Sequence, residues 1–290
     1  MSDEYGKSVR IIRENRNLSL SQLSDGIVSK STLDKFELGD SSISFENLLP
    51  LLQRLRVSLS EFLYRVNEHS TSSVTQTLQK ASRAYSRKDV LSLKRQLSEL
   101  VNEKILEPKN LPFHRLDIIA VKAALGMLQN VPLPKEDVDF AMSYFLTQNE
   151  WFHYDLAILQ FLPPFLASDI LTQLVDTLFK NIPTFFHSMS NITLATNILI
   201  AVIGQLIMAN AINDAEHLIL RTRRESAIAA YLTTTLTLTE YEAIIQYRRG
   251  NQAKAAESHE TLIAFLKILD MHDAMSSLDS LWDQLTTAAE

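Results

Sequence analysis

Ser29-Lys-Ser-Thr-Leu-Asp-Lys-Phe-Glu-Leu-Gly39 is the stretch on which the reading of this chain turns. A serine stands at its head, Leu33 and Phe36 lie three apart and share a face, and a glycine closes it. That is the pattern of a short helix with a side-chain N-cap and a left-handed stop. The remaining positions, Lys30, Ser31, Thr32, Asp34 and Lys35, are small or charged and face outward. Just before it, Leu18-Ser-Leu-Ser-Gln-Leu-Ser24 sets Ser19 as N-cap with Gln22 three residues on, a capping box. Leu20 and Leu23 turn inward there, and Gly26 stops the helix. Two short helices at a tight turn, the second polar on its outer face, make a helix-turn-helix. The second helix of such a pair fits the major groove of DNA, with its N-terminal residues at base edges.

Working outward, Tyr5 to Asn15 has helical periodicity with Tyr5, Val9 and Ile12 inward and Arg10, Arg13 and Arg16 on other faces. A fourth helix follows Ser44 and uses Leu48, Leu51, Leu52 and Leu55, although Pro50 within it removes one intrahelical hydrogen bond. A fifth, Ser58 to Val66, carries Leu59, Phe62 and Leu63. Taken with Ser44-Phe-Glu-Asn-Leu-Leu-Pro-Leu-Leu-Gln-Arg-Leu-Arg-Val-Ser-Leu-Ser-Glu-Phe62, the first sixty-odd residues resemble the XRE-type helix-turn-helix family from end to end. The turn is about one residue shorter than the commonest family pattern. The resemblance implies that Gln22 sits near a phosphate and that Lys30, Ser31, Thr32 and Lys35 face the groove, with Arg10 and Arg13 as further candidate DNA contacts. It also implies that Glu37 is structural, paired with an arginine of the first helix. Asp34 is unfavourable near phosphate unless it accepts from a cytosine amino group. The competing reading is a five-helix bundle with no DNA role.

Composition bounds the rest. At 290 residues the chain exceeds one ordinary domain, and 6 glycines and 8 prolines argue for helices over turn-rich sheets. The absence of cysteine excludes disulfides, thiolate metal sites and cysteine nucleophiles. Met1-Ser-Asp-Glu-Tyr5 is unlike a secretory signal. The longest apolar run, near Ile198 to Met208, is broken by Gly204 and Gln205 and falls short of the roughly 18 to 20 residues of a bilayer span. A cytoplasmic protein with no membrane role is expected. Residues 1–66 carry 9 Lys/Arg and 9 Asp/Glu, whereas 67–290 carry 19 and 25, which accounts for the whole −6. Local phosphate contacts, not the global sum, govern DNA affinity.

The sequence therefore predicts an all-α chain: a helix-turn-helix domain at 1–66, a polar linker at 67–76, and a helical-repeat domain at 77–290. Within the last, apolar helices are joined at small breaks such as Ala84–Asp89, Ala209–Ala215 and Tyr247–Ala255, and Ala215 to Ala255 is forty residues, a helical-hairpin period. Tyr247, Gly250, Asn251 and Ala255 resemble a tetratricopeptide turn, which implies a right-handed array of TPR-like hairpins with a concave groove. A helix-turn-helix followed by such an array resembles the Rgg family of bacterial quorum-sensing regulators. Leu33-Asp-Lys-Phe-Glu-Leu-Gly39 with Ser41 and Ile43, and Trp151-Phe-His-Tyr-Asp-Leu-Ala-Ile-Leu159, carry that resemblance. The family more often has serine and arginine where this chain has Asp34 and Lys35, which points to a different operator preference. The resemblance implies a homodimer on double-stranded DNA, controlled by a short hydrophobic pheromone peptide held in the repeat groove.

For the peptide, an asparagine inside an apolar helix asks for a reason, and its amide both donates to and accepts from an extended backbone. Asn197 is such a residue, and related peptide-sensing regulators use an asparagine on such a helix; the alternative is a buried asparagine bonded to a neighbouring helix. Tyr154, Ile158, Phe161, Tyr231 and Thr235 are further candidates, with core packing the commoner fate of the apolar ones. Arg83 and Lys122 are candidates for a peptide carboxylate. No nucleotide loop is present, the seven histidines are scattered, and serines lack a base-and-orienter setting, so no cofactor, metal or enzymatic activity is expected. Two other readings compete: an adaptor whose repeats dock another protein, favoured by a broad polar concave face, and an enzyme, favoured by converging perturbed titratable groups.

Overall fold

The computed structural model describes residues 2–66, 75–103, 111–185 and 188–287, and among them there are helices and no strand. They divide into two compact units, residues 1–76 and 77–290. Positions 67–74 of the expected linker lie outside the described residues.

The first unit holds five helices: α1 (Ser2–Asn15), α2 (Leu20–Ser24), α3 (Lys30–Leu38), α4 (Phe45–Leu55) and α5 (Leu59–Val66). Its core is small, built on Val9, Leu23, Leu33, Phe36, Leu51, Leu52, Leu55 and Phe62. The Ser19–Gln22 capping box is formed in both directions, and Ser29 Oγ accepts from the Thr32 amide. At Gly39 the φ of 86° ends α3 as the sequence expects. Gly6, in the middle of α1, has a different reason. A Cβ there would lie 1.8 Å from the Phe36 carbonyl oxygen, so only glycine lets α1 rest on α3. α4 runs on past Pro50 to Leu55.

The second unit is a stack of helix pairs: α6 (Gln76–Ser86) with α7 (Val90–Asn102), α8 (Phe113–Gln129) with α9 (Lys135–Phe145), α10 (His153–Leu159) with α11 (Ser168–Phe185), α12 (Met189–Met208) with α13 (Ile212–Arg224), and, after the short α14 (Ser226–Ala229), α15 (Leu232–Arg248) with α16 (Gln252–Ile268). Helix α17 (His272–Thr287) packs on the last pair. The repeat is written in the backbone. Lys88, Asn130, Asn210 and Gly250 all take left-handed φ at the turn inside a pair, at intervals of 42, 80 and 40 residues. The third pair breaks the pattern. Pro163 and Pro164 cannot donate to a helix ladder, so the chain leaves α10 through a 3-10 turn, Pro163–Phe165, before α11 begins.

Helix α12 is the axis of this unit. It packs against α10, α11, α13, α15 and the 3-10 turn, burying Ile192, Ile198, Leu199, Val202, Ile203 and Ile207. With 20 residues and no charge it is long and apolar enough to cross a bilayer by length and composition, which differs from the sequence expectation, because asparagine, threonine, glycine and glutamine interrupt it without ending it. Here 56% of its most apolar window is buried inside the unit. Leu236, Leu266 and Leu278 form a separate small core that joins α15, α16 and α17.

Candidate functional sites

In the first unit, α3 presents Lys30, Ser31, Thr32, Asp34 and Lys35 to solvent while Leu33 and Phe36 are buried. Thr32 is partly committed, since its hydroxyl lies 2.7 Å from Ser29 Oγ. Gln22 is exposed, with its side-chain oxygen accepting from the Ser19 amide 2.8 Å away, so only the amide nitrogen is left to face outward. Arg10 is exposed and pairs with Glu14 one turn on at 2.9 Å. Six of the seven sequence-predicted DNA residues are therefore on the surface.

Arg13 is not, and the expectation for it is corrected. Its Nε and Nη2 donate to the two carboxylate oxygens of Glu37 at 2.8 and 2.7 Å, and its Nη1 donates to the Leu18 carbonyl at 2.9 Å. With 9% of its surface exposed it binds α1 to α3 from inside. The bond to Glu37 raises its pKa, so it stays charged throughout. Glu37 has the structural role the sequence implied. One supporting residue was missed. Arg54 of α4 lies 2.9 Å from the Leu23 carbonyl and 2.5 Å from that of Asp25, and ties down the end of α2. Five residues make a helix too short to stand alone, so this cation on its last carbonyls fixes the turn before α3.

In the second unit, a cavity of about 910 Å³ opens where the repeat breaks its period. Pro164, Phe165, Leu166 and Ala167 of the irregular third turn form one wall, and Asn130 to Leu133 after α8 form another. Ala201, Gly204, Gln205 and Met208 of α12 make the floor, with Leu281, Gln284 and Leu285 of α17 opposite. None of its lining residues is charged. Its polar side chains are the phenols of Tyr85 and Tyr241 and the amides of Asn130, Gln205 and Gln284; the last two each direct Nε2 at the Met208 sulfur from 3.9 Å, a weak acceptor that leaves both amides available. Gly204 gives the floor its shape. A Cβ there would sit 2.9 Å from the Tyr241 hydroxyl, which is buried and donates to the Ile200 carbonyl at 2.9 Å. Outside the lining, Arg248 ties α12 to α17, donating to the Ile207 carbonyl at 2.9 Å and to the Leu285 carbonyl at 2.8 Å.

Asn197 is exposed, and among the described residues no hydrogen-bond partner takes its amide. It lies four residues before Ala201 and so on the same face of α12, one turn beyond the cavity floor. The sequence-predicted residues other than Asn197 are elsewhere or otherwise engaged. Ile158 and Phe161 are fully packed in the core. The Tyr154 hydroxyl lies 2.9 Å from both the Phe113 carbonyl and Asp117, and burial pushes its pKa up. Tyr231 is half-buried with its hydroxyl toward the Met189 sulfur, and Thr235 donates to the Ala229 carbonyl. Lys122 is engaged by the buried carboxylate of Asp137 at 2.7 Å. Arg83 is exposed on α6 among other cations. Gln205, Gln284 and Asn130 were not singled out from sequence. The signal was present in two places, the Pro163-Pro164 pair and the Gly204-Gln205 break in the longest apolar run.

Comparison with known proteins agrees with this architecture. The sequence profile of the C-terminal domain of the HTH-type transcriptional regulator Rgg matches residues 98–279, and a helix-turn-helix profile matches residues 9–62. Among solved structures, a candidate transcriptional regulator from Listeria monocytogenes EGD-e is similar with a TM-score of 0.82 at 16% identity, covering 98% of each chain. The SHP pheromone receptor Rgg2 of Streptococcus dysgalactiae gives 0.75 at 20% identity, over 97% of this chain and 99% of that one. PrgX in its complex with iCF10 gives 0.72 at 17% identity, over 98% and 96%. The Rgg profile spans well over half of the sequence, and the helix-turn-helix lies where such a regulator needs it: this chain belongs to the Rgg family of HTH-type transcriptional regulators.

Proposed function

We propose that this regulator binds a short, uncharged, largely apolar peptide in the cavity beside α12, and that the peptide controls promoters bound by residues 1–66. The observation that carries the reading is the cavity itself. At about 910 Å³ it is at the upper end of ligand sites, it has no charged lining residue, and its amides suit an extended backbone. Asn197, exposed and unpartnered one turn away, extends that row of amides. Solved relatives support the assignment: Rgg2 is described as a pheromone receptor, and PrgX was solved with iCF10 and with cCF10.

On the DNA side, Lys30, Ser31, Thr32 and Lys35 read the major groove, while Arg10 and Gln22 contact phosphate. Paired recognition helices match half-sites about one helical turn apart, so the working form is a cytoplasmic homodimer. On α17, Leu278 and Leu285 are buried and Leu281 and Trp282 half-buried within their own unit, so this helix offers a dimer little free apolar surface. Phe265, Ile268 and Leu269, exposed at the end of α16, are the better candidates.

The test is fluorescence polarisation of labelled DNA from the region upstream of the gene, across salt, with and without synthetic apolar peptides of about eight residues. Saturable peptide binding that weakens roughly tenfold in a Gln205→Ala/Gln284→Ala variant, with free DNA affinity unchanged, supports the site. Peptide affinity equal in that variant would move the site elsewhere. No saturable peptide binding at all would favour a repeat domain that docks another protein.

A further inference from the structure

The first hairpin of the second unit runs against the charge of its surroundings. Residues 80–95 carry six Lys/Arg against one Asp, although residues 67–290 as a whole are acidic. Lys80 and Arg83 lie one turn apart on α6, Arg87 follows in the turn that ends it, and Arg95 of α7 lines the same cleft of about 380 Å³. All four are exposed, and among the described residues none is held in a salt bridge. Of the two carboxylates in the cleft, Asp89 is committed as N-cap of α7, accepting from the Ser92 amide and hydroxyl, which leaves Glu99 as the single free counter-charge. The Gln96 amide, donating to the Thr77 carbonyl at 2.6 Å, fixes the two helices across the cleft. Like charges assembled on a rigid surface repel one another unless an anion joins them.

We infer that this α6–α7 face is a second contact surface for the phosphate backbone of duplex DNA, in addition to the recognition helix of the first unit. Chain length supports that partner. Only nine residues, 67–75, separate Val66 at the end of α5 from Gln76 at the start of α6, ten chain steps that span at most about 34 Å when fully extended. That is roughly one turn of duplex, so the hairpin is tethered to any DNA the first unit holds. The face contributes affinity and salt dependence, and no sequence discrimination, because phosphates carry none. The inference rests on the DNA-binding reading of residues 1–66.

The experiment uses the full chain and a fluorescein-labelled 40-base-pair duplex of mixed sequence, so that no operator need be known. Kobs is measured between about 50 and 200 mM KCl, where each phosphate contact contributes close to 0.9 to the slope of log Kobs against log salt. The Lys80→Gln/Arg83→Gln/Arg87→Gln variant is expected to lower that slope by about 2 to 3 for each protomer engaged. An Arg83→Lys/Arg87→Lys variant should retain it, which separates charge from folding. An unchanged slope in the glutamine variant would overturn the inference while leaving the first unit as the DNA contact. An equal fall in a Lys180→Gln/Lys254→Gln/Lys267→Gln variant, with its charge change on α11 and α16, would overturn it as an effect of net charge. A wild-type chain with no salt-dependent binding would overturn both this inference and the reading beneath it.

Discussion

The two units hold themselves together by different means. The first has a core of a few side chains and relies on polar fastenings between close neighbours: the Ser19–Gln22 box, the Ser29 cap, Arg54 on the α2 carbonyls and Arg13 on Glu37. The second wraps a long apolar helix with seven partner elements around a far larger apolar core. A domain too small to bury much surface gains definition from directional bonds, whereas a large one gains it from packing. The first should therefore fail at single polar or backbone contacts, and the second at shape.

The hardest break is expected at Gly6→Ala. Alanine favours a helix by about 1 kcal/mol over glycine, yet its Cβ would collide with the Phe36 carbonyl. The clash decides the sign, so α1 should leave α3 and DNA binding should be lost while α12 and its neighbours keep their helical signal by circular dichroism. Arg13→Ala comes next. Removing one partner of a buried pair strands the other charge and costs about 3–5 kcal/mol, read as a shift in the denaturant midpoint of the first unit alone. In the second unit, Gly204→Ala should displace the Tyr241 hydroxyl from the Ile200 carbonyl and cost about 1–3 kcal/mol, with peptide binding reduced alongside.

A subtler contrast lies among the last three helices. Glu240 on α15 is fully buried, 2.6 Å from His259 on α16, whose other nitrogen is 3.3 Å from Asp279 on α17. Burial raises the Glu240 pKa, with His259 opposing part of the rise. The folded state therefore holds that proton more tightly than the unfolded state. The stability it contributes is complete below the ordinary carboxylate range and is lost as pH rises through the raised pKa. Thermal scans across that range should show the advantage of wild type over Glu240→Gln shrinking as pH climbs, and a constant difference would refute it. The smallest effect is at Asn197→Ala, where helix propensity predicts a gain of about 0.5 kcal/mol because no hydrogen bond among the described residues is lost. A more stable protein that binds peptide less well would mark Asn197 as a ligand residue, and equal peptide affinity would return it to the solvent face.

How legible each region was follows from the same difference. The capping bonds of α2 and α3 span short stretches of chain, so Ser19, Gln22, Ser29, Leu33, Phe36 and Gly39 could be placed from spacing alone, whereas the Arg13–Glu37 pair bridges 24 residues and came only with the family resemblance. Arg54 escaped because its acceptors lie some thirty residues away. The repeat was visible at Tyr247–Ala255 and at Ala209–Ala215, where turn chemistry is local. Its cavity was not, because its walls come from residues near 130, 165, 205 and 284 that only stacking brings together. Trp151, part of the stretch that resembles the family, proves to be a packed keystone: its ring is buried beside Phe145, and its amide donates to Asn181. Ile158 and Phe161 have the commoner fate of apolar helix residues, and Asn197 departs from the buried alternative.

Gly204 has a bearing on how the proposed peptide site diversifies. Every other amino acid carries the atom that Tyr241 excludes, so no mutational step from this position leaves the cavity floor as it is. Gln205 and Gln284 are under no such constraint, since each can be exchanged without displacing a buried partner, whereas the left-handed φ of Asn130 favours asparagine or glycine there. A lineage can thus inherit the floor unchanged while rewriting the amides around it, so that related regulators share one cavity shape and differ in what its rim can bond.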